Sequence, residues 1–350
     1  MRCLPWLHDR CRGVVTFYAT GPLSMFWRPA MAGKYSAAGS SRNFGYGRDL
    51  AYAGREALID YYGDGHFATV ATHASRFGQF SEWAREQGIR DLARNDPERL
   101  LRDFSEYVGQ QVSSKNLAVA YGQNLISSAQ VVLRAMTGDS GIKVSPSDYC
   151  GSRSNVRKDR PGSLDRAQAA KAAASMRAAG RDRAASVVEL ARELGLRERE
   201  ATLADLPRLE REARETGVVN IQEGAKGGRT ADRLVPVSQE AYKALRTALD
   251  TSPEGSRNLL AAGESYRKFV DGELREGRQE LKAAGIAGYH DCRAAYACER
   301  YTQLTGHEAP VVTGSRIAPR DLDMTARAEI SQELGHVRVD VVGNYIGGVK

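Results

Sequence analysis

Toward the C-terminus the chain reads His290-Asp291-Cys292-Arg293, then Glu333-Leu334-Gly335-His336, then Tyr345 nine positions after His336. Two histidines, an arginine and a tyrosine are a poor set for metal binding or redox work. They suit a reaction in which a tyrosine oxygen attacks a phosphate and fixed cations and hydrogen-bond donors neutralise the developing charge. Together they read as a phosphodiester-transfer site. Singly, each has a plainer reading: His290 and Arg293 as exposed charges one helical turn apart, His336 as a capping residue, Tyr345 as a core aromatic.

Further upstream, Leu194-Gly195-Leu196-Arg197-Glu198-Arg199-Glu200 is followed by Leu203 and Asp205. Val218 to Gln222 and Arg233 to Val237 are two β runs flanking Lys226-Gly227-Gly228-Arg229, the pattern of a hairpin with a Gly-rich turn. These elements, in this order over residues 163 to 345, resemble the tyrosine recombinases, the phage-integrase family, and the joint match is far more specific than any one box. The resemblance maps Arg197, Lys226, His290, Arg293, His336 and Tyr345 onto the family's catalytic set and gives Glu200 a supporting role, orienting Arg197 or its neighbours.

The resemblance implies a site-specific DNA recombinase that cleaves and rejoins strands through a 3′-phosphotyrosyl link. Arg197 and Arg293 present paired N–H donors to the phosphate oxygens, a geometry lysine cannot copy. His290 and His336 add hydrogen bonds, and His290 is the expected acceptor of the tyrosine proton. Lys226 is the expected acid that protonates the departing 5′-hydroxyl. The phosphotyrosyl link conserves the bond energy, so no metal, ATP or other cofactor is expected. Implied partners are double-stranded DNA, further copies of the chain as a homo-tetramer on synapsed sites, and accessory DNA-bending proteins, with no membrane involved. Two readings from other classes are type IB topoisomerase-like relaxation and a catalytically inactive DNA-binding accessory protein on a decayed scaffold.

Two departures from the family stand out. Arg293 and His336 are unusually far apart, which reads as an inserted loop touching DNA through Arg316 and Arg320. Ala294 follows Arg293 where the family often has a second His or Thr.

Composition agrees without being decisive. The 350 residues suffice for two domains, and a formal charge of +7 with pI near 9.1 favours a polyanionic partner once the excess is concentrated on particular faces. Arg153, Arg157, Lys158 and Arg160 are one such concentration, and Arg229 on the Gly-rich turn is a further candidate DNA contact. The five cysteines are odd in number and irregular in spacing, which indicates neither a disulfide framework nor a zinc site and suits a reducing, cytoplasmic setting, to which the resemblance adds association with the nucleoid. No apolar run approaches the ~20 residues that span a bilayer.

The expected fold is mainly α with a small β insertion. Residues 1–48 read as an irregular N-terminal segment, of which 1 to 30 look like an over-extended start before Met31. Residues 49–150 read as a helical bundle, which the resemblance implies to be a core-binding domain that clamps DNA. An aromatic stripe (Phe67, Phe77, Phe80, Trp83) faces its core, Asp96-Pro97 opens one helix, and Ser113 or Ser114 caps another with Leu117, Tyr121, Leu125, Val132 and Leu133 inward. Residues 151–162 read as a basic linker, and 163–350 as a tyrosine-recombinase catalytic domain whose first helix is capped by Ser163.

Overall fold

In the computed structural model, which describes residues 42–225, 231–336 and 338–348, short polar side chains set many of the helix starts. Asp49 accepts a hydrogen bond from Tyr52 N–H and opens α1 (Leu50–Tyr62). α2 (Phe67–Glu86) follows. Asp96 accepts from Glu98 N–H and opens α3 (Pro97–Ser113), with proline at the position where its missing N–H costs nothing. α4 (Val119–Thr137) and α5 (Pro146–Cys150) complete a first compact unit that ends at Arg153; the second unit begins at Ser154. Residues 1–41, and with them the expected start-site extension, lie outside the described residues.

The aromatic stripe is core. Phe77 and Phe80 stack with ring centroids 5.0 Å apart, and Phe104 of α3 meets Phe80 edge-on at 5.1 Å. Phe67, one turn into solvent at the start of α2, is exposed. Neither expected serine caps α4. Ser113 turns its hydroxyl back onto Gly109 O, and Ser114 N–H continues the α3 ladder to Gln110 O, so α3 persists until Lys115 takes a left-handed φ of 60°. Ala118 precedes α4 instead, and Tyr121, one turn in, is exposed while Leu125, Val132 and Leu133 are buried.

The second unit is helical around a two-stranded antiparallel hairpin. Its elements are α6 (Arg166–Ala178), α7 (Asp182–Leu194), α8 (Glu198–Leu203), α9 (Leu206–Thr216), β1 (Val218–Asn220), β2 (Leu234–Pro236), α10 (Gln239–Thr251), α11 (Tyr266–Phe269), α12 (Arg275–Ala283), α13 (Tyr289–Thr305), α14 (Pro310–Thr313), α15 (Arg320–Glu333) and α16 (Gly343–Ile346). Buried α7 packs against α6, α10 and α13 and forms the middle of the core. In the hairpin Val219 pairs with Val235. Its tip, carrying Lys226 and Arg229, lies outside the described residues. Ser163 does not cap α6: its N–H and hydroxyl both donate to Asp291 Oδ2 at 2.9 Å, and Asp165 does the capping, accepting from Ala167 and Gln168.

The expected loop between Arg293 and His336 is mostly helix. α13 continues to Thr305, and α15 buries Ala326 and Ile330 against the core. Within it Asp323 pairs with Arg327 one turn on and accepts from Tyr301 Oη at 2.8 Å. Residues that read as a polar insertion thus satisfy one another inside the fold. α9 lies between the first arginine box and the hairpin, and Asp205-Leu206-Pro207 carries its start signal: Asp205 accepts from Arg208 N–H. Among the described residues no helix is long and apolar enough to cross a membrane.

Candidate active site

α7 ends at Gly195, whose φ of +61° only glycine adopts cheaply. A Cβ there would come within 2.5 Å of the Tyr296 ring and 3.0 Å of Leu334 Cδ2, so α13 and the end of α15 approach this turn closely because no side chain intervenes. Two residues on, Arg197 sits at the start of α8. Its N–H donates to Glu200 Oε2 at 2.7 Å and its guanidinium pairs with Glu200 Oε1, fixing the arginine on a rigid first turn.

His290 and Arg293 lie one turn apart at the start of α13. Arg293 is fully buried. Its Nη1 donates to Gly195 O, its Nη2 to Leu334 O, and its Nε to Tyr345 Oη at 3.2 Å. His336 Nε2 lies 3.2 Å from the same phenol oxygen and 3.4 Å from Arg293 Nη2. A guanidinium only donates, so Nε2 facing it is an acceptor, and the tyrosine O–H donates to His336. Tyr345 Oη thereby receives a hydrogen bond from a cation and gives its proton to an imidazole. The histidine in hydrogen-bond range of the phenol is His336, not His290. The latter, exposed, meets the Tyr345 ring with centroids 5.1 Å apart.

Electrostatics follow from three arginines around one carboxylate. Glu200 is fully buried, and burial pushes its carboxyl up, but Arg233, Arg293 and Arg197 overcome this and hold it at about 2. His336 is driven down to about 3, first by burial and then by Arg293, Arg197 and Arg233, so its imidazole is neutral at physiological pH. His290 keeps an exposed edge, but enclosure of the rest of its ring, and then the Arg293, Arg157 and Arg197 charges, lower it below its ordinary value. Arg293 falls to about 10, through burial and the neighbouring Arg233 and Arg197 charges.

Replacing Glu200 with glutamine leaves these guanidiniums without their anion. Denaturant unfolding at neutral pH should register a loss of about 3–5 kcal/mol, the usual cost of breaking a buried pair by removing one partner. The Glu200 carboxyl is lowered on folding, so its stabilisation is present above the ordinary carboxylate range and is lost as pH falls toward about 2. The difference between wild type and variant should therefore shrink on acidification.

Arg233 was missed in the sequence. It is 7% exposed and its Nη1 lies 2.8 Å from Glu200 Oε2. The signal was available: residues 233, 235 and 237 share one face of a strand whose valines point inward, so an arginine at 233 had to be buried with a partner.

The basic segment is less uniform than its sequence. Arg157 pairs with buried Asp291, between His290 and Cys292, and its N–H donates to Gly343 O at the start of α16. It is committed to the protein and is not a free phosphate contact. Lys158 and Arg160 are exposed. Arg153 bonds Asn124 Oδ1 at 3.2 Å. Arg320 is exposed at the start of α15, and Arg316 bonds Ala318 O at 2.5 Å.

The family model described as Integrase matches residues 158–299, which include Arg197, Glu200, His290 and Arg293. That stretch of the chain is similar to the integrases. His336 and Tyr345 lie beyond the matched stretch and return to it through the hydrogen bonds of Arg293. Among solved structures, the Tn1549 transposon integrase (residues 82–397, in complex with circular intermediate DNA) is 13% identical with a TM-score of 0.50. That match covers 87% of this chain and 97% of the other. XerA recombinase is 16% identical with a TM-score of 0.36, over 86% of this chain and 94% of the other. The likeness to the Tn1549 integrase is one of fold. No curated protein matches the chain.

Proposed function

We propose that this chain is a tyrosine recombinase that cuts each strand of a double-stranded DNA site with Tyr345, in cis to the arginines that neutralise the phosphate, and rejoins it to a second duplex. The observation that carries this is the Tyr345 oxygen held at 3.2 Å from both Arg293 Nε and His336 Nε2. The phenol proton passes to neutral His336 as the oxygen forms its bond to phosphorus. Arg197 and Arg293 take up the charge on the non-bridging oxygens, and His290, at the open edge of the site, adds a hydrogen bond. The bond from phosphorus to the 5′-oxygen breaks, and Lys226, by its place in the sequence between β1 and β2, is the group assigned to donate the proton that oxygen needs. Reversal by the 5′-hydroxyl of another strand completes the exchange without an external energy source.

Strand exchange between two duplexes needs several active sites, and a homo-tetramer on synapsed sites, aided by accessory DNA-bending proteins, is the assembly we infer. A helical unit ahead of the basic segment supports a two-part grip on DNA, with Arg153, Lys158, Arg160, Arg229, Arg316 and Arg320 as phosphate contacts that position without reading bases. A nicked suicide duplex carrying the cognate site tests the reading. Covalent attachment mapped to Tyr345, with transfer to a second duplex, is expected. Absence of attachment overturns it, and relaxation without transfer points to a topoisomerase.

A further inference from the structure

Arg233 takes no part in the steps above, yet it is as deeply engaged as the catalytic arginines. Besides Glu200, its guanidinium serves two turns: Nε donates to Glu333 O at 2.6 Å and Nη2 to Gly195 O at 3.2 Å. Glu333 is the last residue of α15, where backbone carbonyls run out of helical partners. Two residues later the chain reverses at Gly335, φ +62°, and a Cβ there would lie 2.9 Å from Arg233 Cδ. The arginine stem therefore forms the floor of the turn that presents His336. Its backbone belongs to the hairpin, with N–H donating to Asn220 Oδ1 at 3.0 Å and C=O accepting from Ile221 at 2.9 Å.

We propose that Arg233 is the positioning residue for His336: it ties the Leu334-Gly335-His336 turn to the Gly195 turn and to the root of the Lys226 hairpin, so that Nε2 stays within reach of the Tyr345 hydroxyl. Arg293 holds the same turns through Gly195 O and Leu334 O, but Arg293 also touches the reacting oxygen. Arg233, nearly enclosed, has no path to a phosphate and acts through the residues it holds. Five groups set the charge that His336 meets: Arg293 and Tyr345 on α13 and α16, Arg197 and Glu200 at the start of α8, and Arg233 on the hairpin.

The inference rests on the reading of Tyr345 as nucleophile and His336 as proton acceptor, so wild-type attachment to the nicked duplex is the first measurement. Arg233→Met removes charge and donors together. It should attach about 10²-fold more slowly in a single turnover, the usual cost of misplacing a reacting group by an ångström, while its Kd for the site duplex moves by less than about threefold because phosphate contacts are untouched. With one cation fewer beside His336, the variant's rate should fall off on acidification at a higher pH than wild type's. Arg233→Lys keeps the charge but cannot reach three acceptors with one ammonium. It should keep the wild-type acid limb and still attach more slowly.

Arg233→Met attaching at the wild-type rate, losing affinity and rate equally, or keeping the wild-type acid limb overturns the proposal. If Arg233→Met does not fold, Arg233→Lys decides alone: wild-type attachment by the lysine means that only a charge opposite Glu200 matters. Failure of wild type itself to attach overturns the function reading instead, which keeps the two apart.

Discussion

Tyr345→Phe should yield no covalent protein–DNA adduct on a nicked suicide duplex and should bind the same duplex with affinity unchanged to within about twofold, because phosphate contacts and not one hydroxyl dominate affinity. The ring is 4% exposed and packed beneath His290 and His336, so phenylalanine keeps its packing. What disappears is the oxygen between Arg293 Nε and His336 Nε2, and the net folding cost should be about 2–4 kcal/mol, that of two hydrogen bonds of which one is to a charged group. Adduct formation is read on a denaturing gel and affinity by mobility shift. Any adduct that persists in the variant assigns the nucleophile to another residue.

Arg293→Lys should be nearly as damaging to cleavage and should also weaken the fold. A fully buried guanidinium that donates to Gly195 O, Leu334 O and Tyr345 Oη is replaced by one ammonium on a flexible stem, which cannot satisfy three acceptors in different directions. Losing a preorganised donor at the reacting phosphate should lower the single-turnover rate by about 10²–10³-fold. Gly195 O keeps Arg233 Nη2 at 3.2 Å and Leu334 O keeps Arg197 Nη2 at 3.4 Å, so loss of the two shorter charged bonds should cost about 1–3 kcal/mol in denaturant unfolding. A cleavage rate within tenfold of wild type would assign the phosphate charge chiefly to Arg197, and unchanged stability would mean that the turns at Gly195 and Leu334 are held by other contacts.

The chemistry of this chain was legible locally because it is written in spacings that one element sets by itself. His290 and Arg293 fall one turn apart on a helix, Gly195 and Gly335 mark the turns before Arg197 and His336, and alternating valines on either side of a Gly-rich turn make a hairpin. The same short-range logic put Phe77, Phe80, Leu100 and Leu133 in the core of the first unit. Where two signals overlapped, the tertiary structure chose: the serines at 113 and 114 extend a helix, Ser163 serves Asp291, and the polar stretch after Arg293 folds into α15 because Tyr301, Asp323 and Arg327 satisfy one another.

Partners distant in sequence were decided only by packing. Periodicity says which face of an element is apolar, but not which face of another element it meets. Arg293 and Gly195 are 98 residues apart, and Arg157 and Asp291 are 134 apart. Residue types and spacing singled out a tyrosine, two histidines and a set of arginines as one candidate site. The fold determined that His336 and not His290 lies within hydrogen-bond range of the phenol, that Arg157 is an internal tether, and that a third arginine, Arg233, shares Glu200. A buried charge must find its counter-charge wherever the chain brings one, and that meeting is fixed by the whole core.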